Sequence, residues 1–157
     1  MDSADTVKAF YEAFKVRNGD AMASLYADDV EFCDPVFLSL KGIAAKSMWR
    51  MLCSKAHDLE VTYKIEYVNG HNVQVRWEAR YTFVATGRFV VNHVVANIKV
   101  EDGKIRQHLD TFDFWRWASQ AIGPVGFLLG WTPILKKKIR DQAAKSLEVY
   151  LNTLSRV

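Results

Sequence analysis

Cysteine is scarce in this 157-residue chain: there are two, Cys33 and Cys53, at no spacing that would ligate a metal or build a disulfide framework. Free core thiols in a reducing, cytoplasmic compartment are the expectation. Also missing are a Gly-rich phosphate loop, a cluster of metal ligands and a nucleophile elbow, which argues against nucleotide, metal and acyl-enzyme chemistry and predicts no cofactor. Long apolar runs are lacking too. The N-terminal MDSADTVKAFYEAF carries acids where a secretion signal would be positive, and the most apolar stretch, Ala118 to Leu135, is broken by Ser119, Gln120, Pro124 and three glycines. Secretion and a membrane span are not expected. Charge of one sign is not in excess: 21 basic and 18 acidic residues, scattered, give only +3, too mild a balance for nucleic acid as the main partner. With no repeat, low-complexity tract or linker, a half-hydrophobic chain of this length reads as one domain, residues 1–157.

What is present is a change of period. Val7, Phe10, Tyr11 and Phe14 fall at helical spacing, with Lys8, Glu12 and Lys15 opposite, so a first helix ends near Asn18-Gly19. Asp20 is placed to cap a short second helix, Ala21 to Tyr26, followed by a brief strand Val30 to Cys33 and an Asp34-Pro35 turn. A third helix follows Gly42. From there alternation takes over: Val61, Tyr63, Ile65 and Tyr67, the Asn69-Gly70 hairpin signal, then Val73, Val75, Trp77, Ala79, Tyr81 and Phe83. Arg88 to Val100 is another strand, apolar on both faces, with Asn92, Val94, Ala96 and Ile98 assigned inward and His93 outward. Helices first and antiparallel strands afterwards predict α+β, with a curved sheet wrapped around the N-terminal helices as a cone enclosing a pocket.

The last strand carries the chemistry. In IRQHLDTFDFWRW, Ile105 to Trp117, alternation puts His108, Asp110 and Phe112 on one face and Leu109, Thr111 and Asp113 on the other. An imidazole beside a carboxylate on a dry face is costly to bury without partners. The pair is either an acid/base couple for a carbonyl ligand or a hydrogen-bonded tie within the fold.

The order Asp20 to Tyr26, Ala27-Asp28-Asp29-Val30-Glu31-Phe32-Cys33-Asp34-Pro35, Gly42-Ile43-Ala44-Ala45 and then four strands resembles the SnoaL-like and ketosteroid isomerase-like branch of the nuclear transport factor two-like superfamily, over Thr6 to Phe114. The resemblance implies an α+β cone hosting several chemistries, so it speaks to fold more than to reaction. It implies that Asp34 is a general base, Tyr11 an oxyanion donor and Trp49 a pocket wall, and that Asp110 is the late-strand acid/base aspartate of the polyketide cyclases. The protonated aspartate of the isomerases, a worked case of a carboxyl kept neutral by an apolar site, would fall near Ala96, which has no acid. The burden therefore shifts to Asp110 with His108.

Set against this, Asp34 in an Asp-Pro turn can simply cap backbone N–H groups, and Tyr11 on an apolar stripe can be plain core. Trp77, Tyr81, Asn92 and Phe112, with Trp49, are the expected ligand-facing set. The expected partners are a hydrophobic small molecule and a second copy across the outer sheet face. Residues 115–157 form a C-terminal apolar segment and amphipathic helix. Within it Gly123 to Leu135 with Lys136-Lys137-Lys138 is a lid or packing element by default, with a dimer contact or an anchor to an anionic membrane surface as the alternatives.

Overall fold

A computed structural model describes residues 1–156. Helix α1, Ser3–Lys15, starts where Asp2 accepts from the Asp5 N–H and buries Thr6, Val7, Phe10, Tyr11 and Phe14. Helix α2 is Gly19–Ser24, and its cap is Asn18, whose side chain accepts from Ala21 N–H. Asp20, expected in that role, instead accepts from Arg50 Nε at 2.7 Å. Strand β1, Tyr26–Cys33, begins at Tyr26, so the residue expected to close α2 opens the sheet. The cause is non-local: Tyr26 is in register with Ile105, and the ladder is irregular between Tyr26 and Glu31, which hides the alternation.

Strand β2 is Leu40–Lys41, and helix α3, Ile43–Lys55, is entered through Gly42 at φ +55°. A Cβ there would sit 2.8 Å from the Asp28 carbonyl oxygen, so both torsion and space require glycine. Strands β3 (Glu60–Asn69), β4 (Asn72–Phe83), β5 (Arg88–Glu101) and β6 (Lys104–Thr111) complete a curved six-stranded sheet, ordered β2-β1-β6-β5-β4-β3. All pairs are antiparallel except β1 with β6, which is parallel, an arrangement the sequence did not disclose. The α+β cone is otherwise as expected. The inner face carries Val73, Val75, Trp77 and Ala79 from β4 and Val94, Ala96 and Ile98 from β5. Asn92 lies on that face, opposite Ala79, and His93 faces out beside Glu78. Tyr67 departs from the alternation: the register shifts between Ile65 and Tyr67, and the ring is left 58% exposed.

Three helices follow: α4 (Phe114–Ala121), α5 (Pro124–Leu129) and α6 (Pro133–Leu154). The strand expected to run from Ile105 to Trp117 ends at Thr111, because Asp113 accepts from Arg116 N–H and starts α4. Phe114, Trp117, Ala118 and Ala121 build a second core with Val90 and Ile139, and Val36, Tyr81, Phe83 and Phe112 pack against it. Further along α6, Leu147, Ala143, Tyr150 and Leu151 rest on the main core. The segment Gly123 to Leu135 divides: Leu135 joins the second core, whereas Val125, Phe127, Leu128, Leu129, Trp131 and Ile134 remain exposed.

Candidate active site

Strand β6 delivers His108 and Asp110 to the interior as alternation requires, with side chains 0% and 3% exposed. Rather than standing apart they bond directly, His108 Nε2 to Asp110 Oδ1 at 2.9 Å. The other ring nitrogen, Nδ1, is 2.8 Å from the Tyr26 hydroxyl, which in turn accepts from Trp49 Nε1 at 2.7 Å. Indole N–H can only donate, so the Tyr26 oxygen accepts there, and the hydroxyl lies between Trp49 Nε1 and His108 Nδ1. Four aromatic rings enclose that imidazole: Trp49 stacks on it, and Phe10, Phe32 and Tyr26 meet it edge-on, with centroids 5.2 to 6.0 Å away.

Asp110 faces the other way as well. Its Oδ1 takes both the imidazole and a longer bond from Trp77 Nε1 at 3.4 Å, while Oδ2 has no hydrogen-bond partner among the described residues. Its cross-strand neighbour is Ala96, so the position where an acid was missed is a small residue, with the carboxylate one strand over on the same face. Close by is the Tyr11 hydroxyl, fully buried and without any partner. Burial and then the charge of Asp110 push this phenol well above its usual range, so it stays a neutral donor. Such an unpaired buried hydroxyl is a small standing cost to the fold.

Asp34 arrives from the end of β1, in parallel register with β6, near the same end of the cone. Its Oδ1 accepts from Val36 N–H at 2.7 Å and Phe37 N–H at 2.5 Å, so it holds its own turn, as an Asp-Pro aspartate can. Its carboxyl is nonetheless pushed up to about 6, first by burial and next, against the Phe37 N–H, by the charge of Asp110. Tyr81 stands at this end too, its hydroxyl accepting from Trp117 Nε1 at 2.8 Å, and its own pKa is raised by burial and, more weakly, by Asp34. Phe112 and Val36 span the two cores beside it.

Of the expected residues, Asp34, His108 and Tyr11 are thus each brought within electrostatic reach of Asp110. Trp77 and Trp49 serve as hydrogen-bond donors as well as walls. Asn92 is half-buried on the inner face with no side-chain hydrogen bond of its own. Tyr26 was not anticipated, because its interior position depends on the β1–β6 pairing; Trp117, the partner of Tyr81, lies beyond the last strand. Two surface hollows of about 470 and 510 Å³ lie elsewhere, one at the Gly70 and Gly103 turns and one between Glu12 and Tyr63. Neither is lined by the residues above. Among the described residues no three His, Cys, Asp or Glu side chains group to hold a metal ion, and no helix is long and apolar enough to cross a membrane.

The model of the SnoaL-like domain matches residues 7–108. Among solved structures, a protein provisionally assigned as a polyketide cyclase from a Silicibacter species is similar at 16% identity and TM-score 0.69, over 76% of this chain and 95% of that one. A protein of ketosteroid isomerase-like fold from Catenulispora acidiphila, in complex with trimethylamine, is similar at 17% identity and TM-score 0.67, over 82% and 97%. An epoxide hydrolase of M. tuberculosis is similar at 19% identity and TM-score 0.58, over 83% and 92%. No curated protein matches.

Proposed function

This chain belongs to the SnoaL-like domain family, and within that family we propose that it is a cofactor-independent acid/base enzyme acting on a hydrophobic, carbonyl-containing small molecule by isomerisation or aldol-type cyclisation. The observation that carries the reading is the polarity of the Asp110 carboxylate: one oxygen is anchored by His108 and Trp77, and the other has no hydrogen-bond partner among the described residues, with the unpaired Tyr11 hydroxyl within reach of its charge. Asp110 Oδ2 takes a proton from the carbon next to the carbonyl. The C–H electron pair moves into the enolate, whose oxygen accepts a hydrogen bond from Tyr11. Asp34, whose carboxyl is pushed up to about 6, gives its proton to a second carbon to complete an isomerisation with no change of oxidation state, and the proton taken up by Asp110 exchanges back to Asp34 before the next turnover. A cyclase would instead turn the enolate carbon onto a second carbonyl.

His108 is a positioning residue in this scheme, since it touches Asp110 and not the reacting atoms. A second copy across the outer sheet face belongs to the same reading, supported by exposed Phe89 and Leu109 on that side. The test is proton–deuterium exchange next to the carbonyl in a panel of hydrophobic ketones, followed by NMR. Exchange by the native protein that disappears in both Asp110→Asn and Asp34→Asn supports the proposal; equal exchange in all three overturns it. A non-catalytic binder is the second reading, favoured by the closed aromatic packing around His108. It requires ligand retention without exchange.

A further inference from the structure

The short helix α5 is built inside out. Its inward position is Gly126, where a Cβ would lie 1.9 Å from the Ala118 carbonyl oxygen of α4, so backbone meets backbone and no side chain can be buried there. The side chains it does carry, Val125, Phe127, Leu128 and Leu129, are 48% to 65% exposed, and Trp131 and Ile134 just beyond are 67% and 83% exposed. A helix stabilised by its apolar face would show the reverse. Trp115 fastens the arrangement by donating its indole N–H to the Phe127 carbonyl at 2.9 Å.

Charge on this part of the chain is of one sign. Between Asp113 and Asp141 there is no acidic residue, while Arg116, Lys136, Lys137, Lys138 and Arg140 are all basic. Lys137 and Lys138 are exposed on the first turns of α6, next to Trp131 and Ile134. Aromatic and aliphatic side chains on a protruding turn, rimmed by lysines, match the boundary between headgroups and acyl chains of an anionic bilayer. A second copy of the chain fits less well. Asp141, one turn on, pairs with Lys137 at 2.6 Å, and Lys136 and Lys138 have no acidic partner among the described residues, so a symmetric contact would set the same net-positive patch against itself.

We propose that residues 124–138 form a peripheral membrane-docking element, in which Val125, Phe127, Leu128, Leu129, Trp131 and Ile134 enter the interface of an anionic lipid surface and Lys137 and Lys138 bind its headgroups. The side chains concerned lie outside both cores, so substitution leaves the fold intact. The full chain is to be co-sedimented with phosphatidylcholine vesicles with and without phosphatidylserine at low and high salt. Binding should appear with phosphatidylserine and weaken with salt. Phe127→Asp with Leu128→Asp should abolish it, and Lys137→Gln with Lys138→Gln should weaken it by about tenfold or more, at roughly 1 kcal/mol per lysine. Melting curves check that both variants remain folded. No binding to phosphatidylserine vesicles at low salt overturns the proposal. So does a concentration-dependent dimer that Phe127→Asp with Leu128→Asp dissociates while vesicles stay unbound, which would assign the patch to a second copy.

Discussion

The two sides of Asp110 differ in how completely their polar atoms are matched. Toward the base of the cone, Trp49, Tyr26 and His108 form an unbroken chain of donors and acceptors packed in aromatic rings. On its other side, the Tyr11 hydroxyl and one Asp110 oxygen have no hydrogen-bond partner among the described residues, and the Asp34 carboxyl is pushed up to about 6. Folding explains the first side by itself: each buried polar group is satisfied, and the rings supply the burial. It does not explain the second, where matched groups would have been more stable, and residual mismatch of this kind is where chemistry or binding resides.

The largest expected effect tests the unmatched side. Asp110→Asn should lower the rate of carbonyl-adjacent proton exchange by about 10²- to 10⁴-fold, the usual contribution of a positioned base, while circular dichroism stays unchanged. A loss under tenfold would move Asp110 to the structural side. Next comes a pair of tyrosines that should behave oppositely in urea unfolding. Tyr26→Phe strands the Trp49 N–H and His108 Nδ1 in the interior, each costing about 1–3 kcal/mol. Tyr11→Phe removes a hydroxyl that bonds nothing, so stability should stay within about 0.5 kcal/mol or rise. Equal costs would erase the distinction between the two sides.

Proton linkage at Asp34 gives a smaller signal with a definite sign. Its folded pKa, about 6, lies above the ordinary 3.8, so between those values the folded state binds more protons than the unfolded. Asp34 therefore favours folding most below about pH 4, loses that contribution as pH rises through 6, and carries a penalty above it. Asp34→Asn keeps an acceptor for Val36 and Phe37 and removes the penalty. The variant should gain stability over the native chain at pH 8, on the order of 1–2 kcal/mol relative to pH 4 after allowing for the partial exposure of Asp34. Urea midpoints at the two pH values measure it, and a gain that grows toward acid would contradict the assignment. Finest of all, Asp110→Asn should move the Asp34 carboxyl downward from about 6, because a neighbouring negative charge is gone. Carboxyl NMR titration reads this directly, and an unmoved value would mean that the two carboxylates do not sense each other.

Much of the plan was legible in the chain. Alternation correctly put His108 and Asp110 together on β6, because strand geometry makes period two unavoidable, but the strand read as running to Trp117 stops at Thr111, where Asp113 caps a helix instead. The stripe Val7, Phe10, Tyr11 and Phe14 is buried as helical spacing requires. Harder to see was Tyr26, hidden behind a register irregularity in β1, and the cap of α2, where Asn18 prevailed over Asp20 by one turn position. The conduct of α5 was hidden as well. An apolar run signals burial in general, and only the contact of Gly126 with α4 turns its side chains outward.

Periodicity, composition and the order of elements therefore determined by themselves the α+β cone and the face that carries the imidazole and the carboxylate, since these rest on local backbone geometry. Tertiary structure alone decided which polar atoms meet. The parallel pairing of β1 with β6 sets Tyr26 against His108, and the small Ala96 lies across from Asp110. Which oxygen is anchored and which is free depends on contacts between residues up to 82 positions apart, a separation that no spacing rule within one strand or helix encodes.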